Sequence, residues 1–167
     1  TYTAAAREAT INLPDLRRLE LSGGSAATVT GFSVTHAMDF QLSGASVLTL
    51  DPLKAGDVKM ILSGGSKATG IIDMSKGDFD LSGGSAVTFT GTSETIKVKS
   101  SNGSMTNLEG LPVTSADIAL GGGSRARISV SDLLDVNLSG GSELEYAGTP
   151  KLGSMKMSGG SLLNQIK

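Results

Sequence analysis

Asp78 and Asp80 stand two residues apart in "KGDFDLSGGS", and clustered carboxylates with a basic partner are what a polysaccharide lyase or hydrolase requires. His36, the sole histidine, has Asp39 three residues on and could in principle act as a base, as the catalytic histidine of left-handed hexapeptide acyltransferases does. "GGGSRAR" from Gly121 to Arg127 has the look of a phosphate loop, but no G-K-[ST] follows and no helix is signalled. Calcium-binding solenoid repeats place an Asp after paired glycines. This chain places Ser25, Ser66 or Ser85 there, and a neutral hydroxyl is a poor calcium ligand. Which of these groups could act together depends on the elements that carry them.

Those elements repeat. The phrase "LSGGS" occurs at Leu21, Leu62, Leu81 and Leu138 and returns with small changes elsewhere. Its closing serines, Ser25, Ser46, Ser66, Ser85, Ser104, Ser124, Ser142 and Ser161, are separated by 21, 20, 19, 19, 20, 18 and 19 residues. Self-similarity at such a period dictates architecture, and a unit this short cannot fold alone. The variable spacing also disagrees with the strict hexads of the acyltransferases.

Columns read down the eight units assign each offset a task. Four residues before the closing serine stand Leu21, Leu42, Leu62, Leu81, Ser100, Leu120, Leu138 and Met157; six before it stand Leu19, Phe40, Met60, Phe79, Val98, Ile118, Val136 and Met155. Apolar alternation resumes after the serine, as in Leu48 and Leu50 or Val87 and Phe89. Period two means strands, here two per unit, joined at a corner. The stretches Gly31 to Ala37 and Gly110 to Ala116 vary in length and read as loops or a third side.

The expected fold is therefore an all-β parallel β-helix, or β-solenoid, of about eight coils. Coils stacked at about 4.8 Å make a rod of about 38 Å. The corner is assigned to Gly23, Gly24 and Ser25; Gly44 and Ser46; Gly64, Gly65 and Ser66; Gly83, Gly84 and Ser85; Asn102 and Ser104; Gly122, Gly123 and Ser124; Gly140, Gly141 and Ser142; and Gly159, Gly160 and Ser161. Asn102 replaces the first glycine and points to a left-handed backbone there; Ala45 replaces the second and points to a limit on size rather than on φ. The closing serine reads as a small polar ladder that hydrogen-bonds at the corner.

Charge tests the stacking independently. Seven residues before each closing serine the chain reads Arg18, Asp39, Lys59, Asp78, Lys97, Asp117, Asp135 and Ser154, alternating in sign through six coils. Asp80 is followed one coil later by Lys99, and Arg125 and Arg127 by Glu143 and Glu145. Equal offsets become neighbours only if coils stack in register, where opposite charges attract. Asp78 and Asp80 thus meet Lys97 and Lys99 and read as register control, and His36 as a solvated loop residue.

Bulk composition narrows the classes further. The 167 residues carry 14 Lys+Arg against 16 Asp+Glu, a net charge of −2 that gives no field for nucleic acid. The absence of Cys removes disulfides, thiolate metal sites and a Cys nucleophile. No apolar run approaches a transmembrane span. No cofactor or metal site is expected. Sugars are commonly held on aromatic platforms, yet aromatics make 4% of residues; Phe32 is the clearest candidate outside the core columns, and Tyr146 falls on an inward one. Thr28, Thr49, Thr69 and Thr88 form an outward row suggestive of ice binding, but the second row, Thr30, Asp51, Ile71, Thr90, breaks at once, so β-propensity explains it better.

Repeated "LSGGS" and "LSGAS" phrases, the entry "INLPDLRRLELSGGS" and the closing "KMSGGSLLNQIK" together resemble the head-GIN domain of auto-transporter adhesins, from about Thr10 to the C-terminus. The resemblance implies a right-handed β-solenoid from a bacterial or archaeal extracytoplasmic protein, anchored through a signal or lipoprotein segment and without enzymatic activity. Residues 1–167 then form one solenoid domain, residues 1–16 a partial first coil of a longer domain. The expected function is a cell-surface binding module for a glycan or protein. A scaffold that self-associates end to end, and a polysaccharide-active enzyme, are the alternatives.

Overall fold

The computed structural model describes residues 9–167, which contain fourteen strands and no helix. They are β1 (Arg18–Leu21), β2 (Ala26–Thr30), β3 (Met38–Leu42), β4 (Val47–Lys54), β5 (Asp57–Leu62), β6 (Lys67–Asp73), β7 (Lys76–Leu81), β8 (Ala86–Thr92), β9 (Thr95–Ser100), β10 (Met105–Leu120), β11 (Arg125–Leu138), β12 (Glu143–Ala147), β13 (Lys151–Met157) and β14 (Leu162–Ile166). All pair in parallel. Odd strands β1-β3-β5-β7-β9 stack on one side and even strands β2-β4-β6-β8 on the other, joined where β10 bends from one side to the other. This is a β-solenoid of about eight turns.

Period-two patterning drives the winding, because each strand turns one row inward and no coil has a partner layer except itself. Phe40, Met60, Phe79, Val98, Ile118 and Val136 stack in one buried row, and Leu42, Leu62, Leu81, Leu120 and Leu138 in the next. The Phe79 and Phe89 rings, from the two sides of one coil, lie 6.2 Å apart across the core. Phe32 packs against this core and does not form an open sugar platform, and Tyr146 is 9% exposed.

The fifth coil breaks the apolar pattern. Ser100 and Thr106 occupy inward rows, are 3% exposed, and their hydroxyls find no hydrogen-bond partner. At the far end the last coil leaves its inward row open: Met155 is 49% and Met157 42% exposed.

Variation in repeat length is absorbed away from the corners. Register shifts lie between Leu50 and Leu53, between Leu108 and Ser115, and between Leu134 and Val136. Gly31 to Ala37 is largely irregular, with one bridge from Ser33 to Lys54, whereas Gly110 to Ala116 is extended within β10 and forms a third side. A strand there is possible because the neighbouring coil runs alongside as β11.

Candidate functional site

The repeated phrase occupies the corner between the two sides. Its first residue, at Gly23, Gly44, Gly64, Gly83, Asn102, Gly122, Gly140 and Gly159, has φ between +55° and +64°. The second residue has φ between +63° and +76° and includes Ala45 at +63°. Two successive left-handed residues turn the chain while keeping it paired: in the first six coils the amide of the second residue donates to the first residue's carbonyl one coil on, as in Gly24 to Gly44 at 2.8 Å and Gly65 to Gly83 at 2.9 Å.

Ala45 corrects the expectation placed on it. A Cβ built on its counterparts Gly24, Gly65, Gly84, Gly123 or Gly160 meets nothing within 4 Å, so space is not limiting at the second position; φ is. Crowding sits at the first position, where a Cβ on Gly64 or Gly83 would lie 3.2 Å or 3.1 Å from the preceding coil's backbone nitrogen, a closeness that the fifth coil accommodates at Asn102.

Each closing serine donates its hydroxyl to the carbonyl three residues earlier. The distance runs from 2.6 Å at Ser25 and Ser142, through 2.7 Å at Ser46, Ser66, Ser85 and Ser104, to 2.8 Å at Ser124 and Ser161. Ser46, Ser66, Ser85, Ser104, Ser124 and Ser142 are fully buried. They face the core and offer no group to a ligand.

The outward rows stack in register. Arg18, Asp39, Lys59, Asp78, Lys97, Asp117 and Asp135 are consecutive neighbours; the row ends at Asp135, where the ladder shifts before Ser154. Asp78 and Asp80 lie beside Lys97 and Lys99, yet the Lys97 ammonium closes on Asp117 instead, at 3.0 Å. That contact, with Asp78 adding attraction, raises the Lys97 pKa. Arg125 pairs with Glu143 at 3.2 Å, and Arg127 bridges Glu145 at 2.5 Å and Glu109 at 3.5 Å. Thr28, Thr49, Thr69 and Thr88 also stack, on the opposite side.

His36 does not join Asp39. Its Nε2 lies 2.6 Å from Asp15 and its Nδ1 3.0 Å from the Ala37 carbonyl, tying the segment before β1 to the connection between β2 and β3. The Ala37 carbonyl and then the Asp15 carboxylate raise the imidazole pKa; the hydrogen bond from His36 lowers that of Asp15. Among the described residues no three His, Asp or Glu side chains converge as a metal site would need.

A trough of about 480 Å³ lies on the odd-strand side, crossing the second to fifth coils and bordered by Arg17 of the first. Two outward rows wall it. One is Asp39, Lys59, Asp78 and Lys97; the other, two residues earlier on each strand, is Ala37, Asp57, Lys76 and Thr95. Met38, Val58, Gly77 and Ile96 run between the walls, with the Met38, Val58 and Ile96 side chains turned into the core. The first wall is readable in the sequence from its alternation. The second carries charge in only two coils, Asp57 and Lys76, and so gives no column pattern to notice.

The trough is a shallow, charge-walled groove running across stacked coils. The chain belongs to the family described as "Putative auto-transporter adhesin, head GIN domain", which matches residues 3–150. The closing phrase "KMSGGSLLNQIK" lies beyond that stretch. Among solved structures, a "Putative lipid binding protein from Parabacteroides distasonis" superposes with a TM-score of 0.83 over 92% of this chain at 16% identity. This chain spans 63% of that protein's length. A comparison with curated proteins gives no match.

Proposed function

We propose that the chain is a non-enzymatic binding module of an extracytoplasmic, cell-surface protein, an adhesin head that holds a glycan, protein or lipid partner against its odd-strand side. The observation that carries this reading is the trough: four coils present charged side chains along its walls, on a scaffold fixed by hydrogen bonds between every pair of coils. Family membership supports it, as does the name of the structural neighbour. Lysines of the next coil flank Asp78 and Asp80, which favours register control over a catalytic pair.

A glycan array and capture from envelope extract, run with the parent and a Lys59→Glu/Lys76→Glu variant, test this reading. It requires a reproducible ligand that the variant loses while melting at the parental temperature. Turnover of a polysaccharide, or binding indifferent to the substitutions, would overturn it.

A second reading, a scaffold stacking end to end, is favoured by the exposed Met155 and Met157 on the last coil. Against it stands Gln165, which occupies an inward row and donates to the Gly148 carbonyl at 2.7 Å, closing that side with a polar group. Light scattering that stays monomeric at high concentration would remove this reading.

A further inference from the structure

The two walls of the trough are a checkerboard. Within the third coil Asp57 faces Lys59 across Val58, within the fourth Lys76 faces Asp78, and every sign inverts from one coil to the next. Two diagonals result: Asp39 with Asp57, and Lys59 with Lys76, displaced from each other by one coil, about 4.8 Å.

These charges are not spent on one another. Among the described residues the ion pair made by either wall is Lys97 with Asp117, at the end of the trough. Asp39, Asp57, Lys59 and Lys76 close no such contact, and the Asp39 Oδ1 atom is buried without a hydrogen-bond partner.

A ligand of one sign meets attraction and repulsion at adjacent coils, and the two nearly cancel. A ligand with both signs one coil apart can set each charge against a diagonal of opposite sign, with Arg17 lining the trough beside Asp39. We propose that the trough binds a phosphoryl–ammonium zwitterion of the phosphoethanolamine type, with its ammonium between Asp39 and Asp57 and its phosphoryl group between Lys59 and Lys76. Two ammonium groups on a diagonal suit a phosphoryl group, whose several oxygens accept from both at once. The two-carbon linker lies over Val58 and Met38. A trough of about 480 Å³ is of the size that holds a headgroup. This assignment rests on the binding-module reading and names its ligand.

Two-dimensional NMR titration of the protein with O-phosphoethanolamine, ethanolamine, inorganic phosphate and β-alanine tests it. The expected result is perturbation of amides at 37–39, 57–59 and 76–78, with O-phosphoethanolamine bound roughly tenfold tighter than either half alone. Asp57→Asn and Lys76→Gln, both on the open wall, each weaken it roughly tenfold without lowering the melting temperature. Equal weak binding of all four probes, or perturbation centred elsewhere, overturns the proposal; β-alanine matching O-phosphoethanolamine overturns the phosphoryl assignment. Co-sedimentation with phosphatidylethanolamine vesicles, but not phosphatidylglycerol vesicles, assigns the group to a lipid surface. Binding of the soluble compound alone assigns it to a headgroup carried outside a bilayer. If the zwitterion fails while the Lys59→Glu/Lys76→Glu variant still loses an array ligand, the binding-module reading survives and this proposal does not.

Discussion

A Cβ built on Gly64 would stand 3.2 Å from the backbone nitrogen of Gly44, one coil before it, whereas one built on Gly65 would meet nothing within 4 Å. The two glycines of the corner therefore answer different constraints, although both are left-handed. Gly64→Ala should cost the left-handed penalty of about 1–2 kcal/mol plus the displacement of a neighbouring coil; Gly65→Ala should cost the penalty alone. Denaturant unfolding of the two variants measures the gap. Equal losses would contradict crowding confined to the first position.

Ser66 is fully buried and its hydroxyl donates to the Ser63 carbonyl at 2.7 Å. Ser66→Leu should lower stability by about 1–3 kcal/mol through overpacking, with a further loss from the orphaned carbonyl. Ser66→Ala should lose only the hydrogen bond, about 1 kcal/mol. Calorimetry that leaves the Leu variant at the parental temperature would show that the serine does not face a packed core.

Thr106 offers the opposite experiment, because its buried hydroxyl has no partner. Thr106→Val keeps the shape and removes the unsatisfied group. It should raise stability by about 1 kcal/mol. A lower melting temperature would mean that the hydroxyl is satisfied in solution.

The His36 contact with Asp15 gives a pH dependence whose sign can be worked out. The folded-state pKa of His36 is raised above its ordinary 6.5, so its contribution is complete below that value and is lost as pH rises through the folded pKa. That of Asp15 is lowered below 3.8, so its contribution is present above that value and is lost as pH falls through the folded pKa. The tie between the entry segment and the second coil is therefore firmest from about pH 4 to 6. An NMR titration of the imidazole should give a raised pKa in the parent and a lower one in Asp15→Asn. An unchanged midpoint would show that the carboxylate does not hold the ring.

Much of this architecture is legible in the sequence because a solenoid writes its neighbours at constant offset. The inward rows through Phe40 and Leu42, and the outward row from Arg18 to Asp135, are columns before they are contacts. The strand through Gly110 to Ala116 is less legible, since its length differs from unit to unit and its pairing depends on β11. Asp15 and His36 each stand ten residues before their closing serine, so one coil step joins them, but that column falls in the variable segment and carries no repeated residue type to mark it. Ala45 points in the sequence to a limit on size, whereas its φ of +63° shows a conformational one, a distinction that one letter cannot carry. The trough is a relation between two rows, only one of which announces itself by alternation.

The corners hold the coils together, and the proposed binding lies on the faces between them. Its most direct test is one binding measurement, with whichever ligand the array or titration identifies, made on a trough variant and a face variant of equal stability. Lys59→Glu/Lys76→Glu should lose binding, and Thr49→Ala/Thr69→Ala, on the opposite side, should retain it. The reverse outcome, with binding lost on the threonine side and kept at the trough, would contradict the account.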